Sequence, residues 1–344
     1  MRKESQTIVT FNKNFIFFFI LLLFGPGLRA GSLDSITVDQ NGNGDFTSIQ
    51  AAIASIRAFR GDNAVKIFVK KGIYNEKVVI PAHLENIQLI GEDVMTTKIV
   101  YNDYSGKTVN CPDETGRTVL GTFGSYTLMV RGDKILIQNI SIENSAGPIG
   151  QAIALHIEGD RIAFVNCRLL GFQDTLYLGK GRSFFSQCSI NGSTDFIFGP
   201  GTAFFEKCKL VSLRNSYITA ASTTVEQVYG FVFNQCDFIG MDSTINQVFL
   251  GRPWRPYAKT VLVDCYLGSH ITAEGWNEWK GDKLFPEKEK TVFYAELGSK
   301  GPGAIDLTKR VVWSRQLRLN KRREYSLAKV LGDWDIHKMI DRAR

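Results

Sequence analysis

A phrase of alternating apolar residues closed by a cysteine recurs through the middle of this chain, and its spacing excludes most folds. FVNC ends at Cys167, FFSQC at Cys188, FFEKC at Cys208, FVFNQC at Cys236 and VLVDC at Cys265, with gaps of 21, 20, 28 and 29 residues. Each unit alternates like a strand, and a period of roughly 20–30 residues built from strands marks a stacked solenoid. The sequence therefore predicts an all-β fold, a right-handed parallel β-helix (solenoid) with short capping helices at the ends. Near the front, Phe46, Ile49, Ile53 and Ile56 keep a helical spacing, and a helix there would cover unpaired strand edge. Past Trp313 the basic stretch LRLNKRREYSLAKVLG predicts a helical cover near the other terminus. No linker or low-complexity tract interrupts the coils, so one domain is expected over residues 31–344.

The repeat converts sequence distance into spatial distance. Equivalent residues of neighbouring coils lie roughly 4.7–4.9 Å apart. Asp174 and Asp195 are 21 residues apart, Gln151 and Gln173 are 22 apart, and Arg252 lies 57 beyond Asp195, near two of the longer coils. Two amides, two carboxylates and one guanidinium thus converge on one sheet face. Most carboxylates on a sheet only solvate it. Here the coil register and the surrounding rings of Phe172, Tyr177, Phe196 and Phe198 favour a site. A pair of partly desolvated carboxylates one rung apart cannot both stay charged cheaply. If Arg252 contacts Asp195, that carboxylate is held down as the ionised partner, and Asp174 carries the proton.

The same residues carry a family resemblance. GFQDTLY at 171–177, STDFIFG at 193–199 and LGRPW at 250–254 resemble the three signature stretches of pectin methylesterases (pectinesterases) of the plant type. GIYNEKV at 72–78, NSAGP at 144–148, QAIAL at 151–155, GWNEW at 275–279 and GPGA at 301–304 follow in family order, from about Val38 to Trp313. The resemblance implies hydrolysis of the C6 methyl esters of homogalacturonan to de-esterified pectin and methanol. It makes Asp195 the nucleophile, Asp174 the general acid and base, and Gln151 and Gln173 the oxyanion donors, with Arg252 orienting the nucleophile. It assigns Tyr177, Phe198, Arg252, Trp254 and Trp276 to the sugar groove, although core packing is the other reading of these rings. GTFGSYTLMV departs from the family phrase, which leaves Phe123 only a candidate for the upstream groove. The resemblance further implies a Cys208–Cys236 disulfide, with Cys188 and Cys265 remaining thiols, and no cofactor or metal. It allows a proteinaceous pectinesterase inhibitor as a partner besides methyl-esterified homogalacturonan. The solenoid text starts soon after the leader, so the form without an inhibitor-like pro-region is expected.

Residues 1–14 are polar with Arg2, Lys3 and Lys13, Phe15 to Phe24 are ten apolar residues, and small residues follow at Ala30, Gly31 and Ser32. This predicts a secretory signal peptide over 1–30, too short to span a bilayer, and a chain outside the cell, which the resemblance places in the wall. Removing its four basic residues and one acid takes the net charge from +7 to +4, which suits a polyanionic matrix without requiring one. No nucleic-acid motif accompanies the scattered lysines and arginines, no membrane role remains after cleavage, and a monomer is expected. Asn139-Ile-Ser141 and Asn191-Gly-Ser193 fit the N-glycosylation pattern, with Asn139 read as a strand residue and Asn191 as a turn residue. Four dispersed histidines and no CxxC pair argue against zinc, and no GxSxG elbow supports a serine esterase. A pectate lyase or galacturonan hydrolase on the same solenoid, or a catalytically idle pectin-binding wall protein, remain the alternatives. Methanol, an unsaturated end, a new reducing end or no product tells them apart.

Overall fold

A computed structural model describes residues 35–58, 64–112 and 116–341, all within one compact unit. The signal-peptide reading of residues 1–30 lies outside the described residues. The described strands form three parallel sheets of 11, 7 and 8 strands, and each central coil contributes one strand to each sheet. One coil runs through Ile162–Val165, Arg168–Leu170 and Leu176–Leu178, and the next through Arg182–Ser186, Ser189–Gly192 and Ile197–Gly199. The fold is the expected right-handed parallel β-helix. Among the described residues no helix is long and apolar enough to cross a membrane.

Stacking of like on like fills the interior. Phe164, Phe185, Phe205 and Phe233 occupy one inward column, with ring centroids 5.0, 4.7 and 4.5 Å apart and planes within 12° of parallel. The corner after this strand is turned by a single residue in the left-handed region. It is Asn139, Asn166, Gln187, Lys207, Gln235 or Asp264, with φ between 50° and 56°. That geometry re-aims the chain within one residue and sends the next side chain inward. The inward position is small or slim: Ile140, then the cysteine of each repeat phrase. The repeat read from the sequence is therefore a strand, a left-handed corner and a buried thiol.

Two expectations about this corner need correction. All six cysteines are free thiols, so the Cys208–Cys236 bridge is not formed. The two are neighbours as the register requires, with the Cys208 N–H donating to Cys236 Sγ at 3.4 Å. Each sulfur, however, turns to a carbonyl of the preceding coil: Cys208 donates to Phe185 O and Cys236 to Phe205 O, both at 3.4 Å. The thiols act as equivalent packing rungs. The second correction concerns the glycosylation sequons. Asn139 occupies the left-handed corner and accepts from Asn166 Nδ2 at 2.8 Å, whereas Asn191 lies inside the strand Ser189–Gly192. The apolar run ILIQNISI hides the corner because its strand residues continue on both sides.

The front helix is shorter than its periodicity suggests, Ile49–Ala54, with the Ser48 hydroxyl accepting from the Ala51 N–H. It buries Ile49, Ala52 and Ile53, and the Glu76 carboxylate accepts the N–H groups of Ile49 and Gln50 at 2.9 Å each. A carboxylate at a helix N-terminus satisfies orphan donors and the helix dipole together. The helices Leu327–Leu331 and Ile336–Asp341 do not cap an end. Val330, Leu331, Trp334 and Ile336 instead cover the outer face of the 11-stranded sheet, where Phe184, Phe204 and Val232 point away from the interior. Those outward side chains are apolar, and that face needs a lid more than the end does.

Phe205 has stacked rings on both sides and no solvent contact, so Phe205→Ala is expected to cost about 3–5 kcal/mol. Urea unfolding followed by circular dichroism checks this, and a loss under about 1 kcal/mol would mean that the column can close over the gap.

Candidate active site

Asp174 and Asp195 sit at the same place on consecutive coils, two residues before the strands Leu176–Leu178 and Ile197–Gly199. The pairing Leu176↔Ile197 sets them one rung apart. Both are left-handed, with φ of 65° and 48°, a region that aspartate enters more readily than most residues. Their backbones are fixed by Asp174 N–H to Thr194 O at 3.1 Å and Asp195 N–H to Tyr217 O at 2.8 Å. Both carboxylates line a cleft of about 190 Å³ with Thr122, Phe123, Gln151 and Phe198.

Arg252 follows the strand Phe249–Gly251, where its N–H donates to Thr219 O at 2.8 Å. Its guanidinium grips Asp195 with both prongs, Nε to Oδ1 at 3.0 Å and Nη2 to Oδ2 at 2.7 Å. The rings of Tyr217 and Trp279 lie on either side of that guanidinium, 3.9 and 3.7 Å from its carbon. A planar cation held by two rings and a carboxylate has one orientation left.

The two carboxyls are electrostatically unequal. Burial pushes the Asp174 carboxyl up to about 8, the charge of Asp195 adds to this, and a hydrogen bond from Gln151 and the charge of Arg252 oppose it. Burial also raises Asp195, against the hydrogen bonds and charge of Arg252 and the charge of Lys288. The expectation that a cation holds the Asp195 pKa down is thus corrected, since loss of solvent outweighs the guanidinium. Asp195 has the bidentate partner and Asp174 does not, so the shared proton resides on Asp174.

Gln151 is oriented by the Thr122 hydroxyl, which donates to its Oε1 at 2.6 Å, while its amide nitrogen donates to Asp174. Gln173 is bridged to Gln151 through the backbone and half-buried, one rung along from the residues that line the cleft. Tyr177 and Phe198 lie side by side at 5.1 Å, tilted by 57°, and Trp254 continues the series 5.9 Å from Phe198 at 56°. Phe123 meets Tyr177 edge-on at 4.9 Å, which gives the upstream candidate a place in the cleft.

Trp276 does not belong to the groove. It is 1% exposed and packs on Tyr294 at 4.7 Å, because its bridge to Gly251 turns the side chain inward. The cleft-lining ring is Trp279, at a left-handed φ of 60° that brings it back over Arg252. The second tryptophan of GWNEW was the available signal. Lys288 was also missed. It is buried behind Trp279, 4.6 Å from that ring, with Nζ donating to Asp282 at 2.7 Å.

Comparison with known proteins gives this geometry a context. The family profile described as Pectinesterase matches residues 35–332. The chain belongs to the pectinesterase family. It is 38% identical to putative pectinesterase 11 of Arabidopsis thaliana over 286 residues, 82% of this chain and 74% of that protein. The structure resembles the pectin methylesterase from carrot with a TM-score of 0.78 and 27% identity, covering 88% of this chain and 95% of the other. It also resembles a pectin methylesterase mutant solved in complex with a hexasaccharide, with a TM-score of 0.73, 31% identity and coverage of 87% and 97%. As a pectinesterase, this chain is a carboxylic ester hydrolase of the parallel β-helix class.

In this pectinesterase the raised Asp174 has a consequence for stability. A carboxyl bound to its proton more tightly when folded contributes fully below its unfolded pKa near 4, and that contribution is lost as pH rises through about 8. Asp174→Asn, neutral at every pH, is therefore expected to match the parent below pH 4. Above pH 8 it should exceed it by on the order of 3–5 kcal/mol. Thermal melts of both proteins from pH 4 to 9 test this; a gap that does not widen with pH would contradict it.

Proposed function

We propose that this chain hydrolyses the C6 methyl esters of homogalacturonan with Asp195 as nucleophile and Asp174 as general acid and then base. The observation that carries the proposal is the bidentate Arg252–Asp195 pair beside a buried carboxyl that keeps its proton to about pH 8. An esterase of this kind needs one ionised, oriented carboxylate and one protonated carboxyl within reach of the leaving group. The cleft offers both.

In the first step an Asp195 oxygen bonds to C6, and the carbonyl electron pair moves onto oxygen. The amides of Gln151 and Gln173 donate to that oxyanion, the Gln151 amide being aimed by Thr122. The tetrahedral centre collapses, the C6–OCH₃ bond breaks, and the departing oxygen takes the Asp174 proton as methanol. The product is an acyl-enzyme anhydride, and Asp174 is now ionised. It removes a proton from water, whose oxygen attacks C6 and expels the Asp195 carboxylate, leaving a galacturonic acid unit that ionises to solvent. Arg252 and buried Lys288 keep positive charge next to the reacting carboxylate throughout. The ring series Tyr177, Phe198 and Trp254 offers stacking faces for pyranose units on either side of the scissile ester.

The same reading puts the chain outside the cell, on wall pectin, with residues 1–30 removed during secretion and 31–344 as the catalytic domain. The apolar run Phe15 to Phe24 supports the leader.

Asp195→Asn is expected to lower methanol release from highly esterified pectin by at least about 10³-fold while leaving the fold intact. The kcat/KM of the parent should follow a bell. Its acid limb lies above the ordinary aspartate range, where Asp195 must ionise, and its alkaline limb near 8, where Asp174 loses its proton. Near-parental turnover by folded Asp195→Asn protein would sink the mechanism.

A further inference from the structure

The row of rungs that carries the aspartates continues past Arg252. Asp195 bonds to the Tyr217 carbonyl, Tyr217 pairs with Phe249, and Gly251 bridges to Trp276, so Asp195, Tyr217, Phe249 and Glu274 occupy successive rungs. A cavity of about 720 Å³ opens along this side, far larger than the carboxylate cleft. Tyr217 lines the larger cavity, and its ring carries the Arg252 guanidinium that grips Asp195 and stacks on Phe249 at 5.5 Å and 23°.

The cavity is prepared for an uncharged polyol. Asn215 Oδ1 accepts from the N–H groups of Asn246 and Gln247 at 2.8 and 3.0 Å, which fixes the turn that walls it. The amide side chains of Asn215, Asn246, Gln247 and Asn277 line it together with the rings of Tyr217 and Phe249. No lysine or arginine lines the cavity, and its charged residues are Glu274 and Glu278. Glu278 pairs with Lys280 at 2.9 Å, whereas Glu274 is exposed on the rim. Stacked rings, amides and carboxylates receive sugar hydroxyls, and the same carboxylates repel an anionic sugar.

We propose that this cavity is a subsite for a galacturonosyl unit methyl-esterified at C6, on the polymer whose neighbouring ester lies at Asp195, and that Glu274 rejects the free carboxylate. The placement relative to the scissile ester rests on the reading of Asp174 and Asp195 as the ester-cleaving pair; the binding itself does not.

Calorimetric titration of the full Asp195→Asn chain with oligogalacturonides of one length, fully methyl-esterified or fully de-esterified, tests it. The esterified form should bind about 10-fold more tightly or better. Phe249→Ala in that background should weaken the esterified form about 10-fold and leave the other unchanged. Glu274→Lys, at an exposed position that does not bear on folding, should strengthen the de-esterified form about 10-fold. Equal affinity for the two oligomers, or a ratio that Glu274→Lys leaves unmoved, overturns the subsite. Methanol release by the unsubstituted chain is measured in parallel: its absence would count against the ester-cleaving pair, and the titration would still decide the cavity.

Discussion

Parallel hydrogen bonding between coils is the constraint on which the rest depends. It fixes the rise from one coil to the next at roughly 4.8 Å, so any residue repeated at coil spacing is delivered to its counterpart. The interior uses this by stacking phenylalanine on phenylalanine and thiol on thiol. The active-site row uses it by placing Asp174 beside Asp195, then Tyr217 and Phe249. Coil lengths vary from 20 to 50 residues without loss of register, because extra residues leave through the turns. The long turns are where Trp254, Trp279 and Lys288 enter, so the variable part of the chain furnishes the groove over an invariant ladder.

The same rule creates an electrostatic problem that the site exploits. Two aspartates one rung apart and buried cannot both be ionised, and a single guanidinium settles which one is. Arg252 has no freedom to serve Asp174, since Asp195 takes both prongs and the rings of Tyr217 and Trp279 close its faces. Asp174 is left with burial, a like charge and an amide, and its proton stays. The two carboxyls thus differ only in their neighbours.

The fold and the carboxylate pair were legible because coil spacing is arithmetic: 21 residues separate both Cys167 from Cys188 and Asp174 from Asp195. Where a coil changes length, the arithmetic fails. Trp276 and Trp279 lie three residues apart, and which of them faces outward depends on a bridge to Gly251 that no periodicity reveals. The left-handed corner at Asn139 was hidden inside an apolar run, and the thiol geometry at Cys208 and Cys236 depends on carbonyls of other coils. The C-terminal helices were expected from their composition, but their seat was not, because it depends on outward-facing Phe184 and Phe204. The net direction of the Asp195 shift balances burial against one cation, and a sequence shows the cation without the burial.

In the resting cleft Asp174 holds the proton and Asp195 the charge. Carbon-13 NMR of the protein labelled at aspartate side-chain carboxyls, titrated from pH 3 to 10, tests it most directly, with Asp174→Asn and Asp195→Asn providing assignments. The account predicts that the resonance lost in Asp174→Asn titrates near pH 8, well above the resonance lost in Asp195→Asn. Two carboxyls that both ionise in the ordinary range near pH 4, or the reverse order, would contradict it.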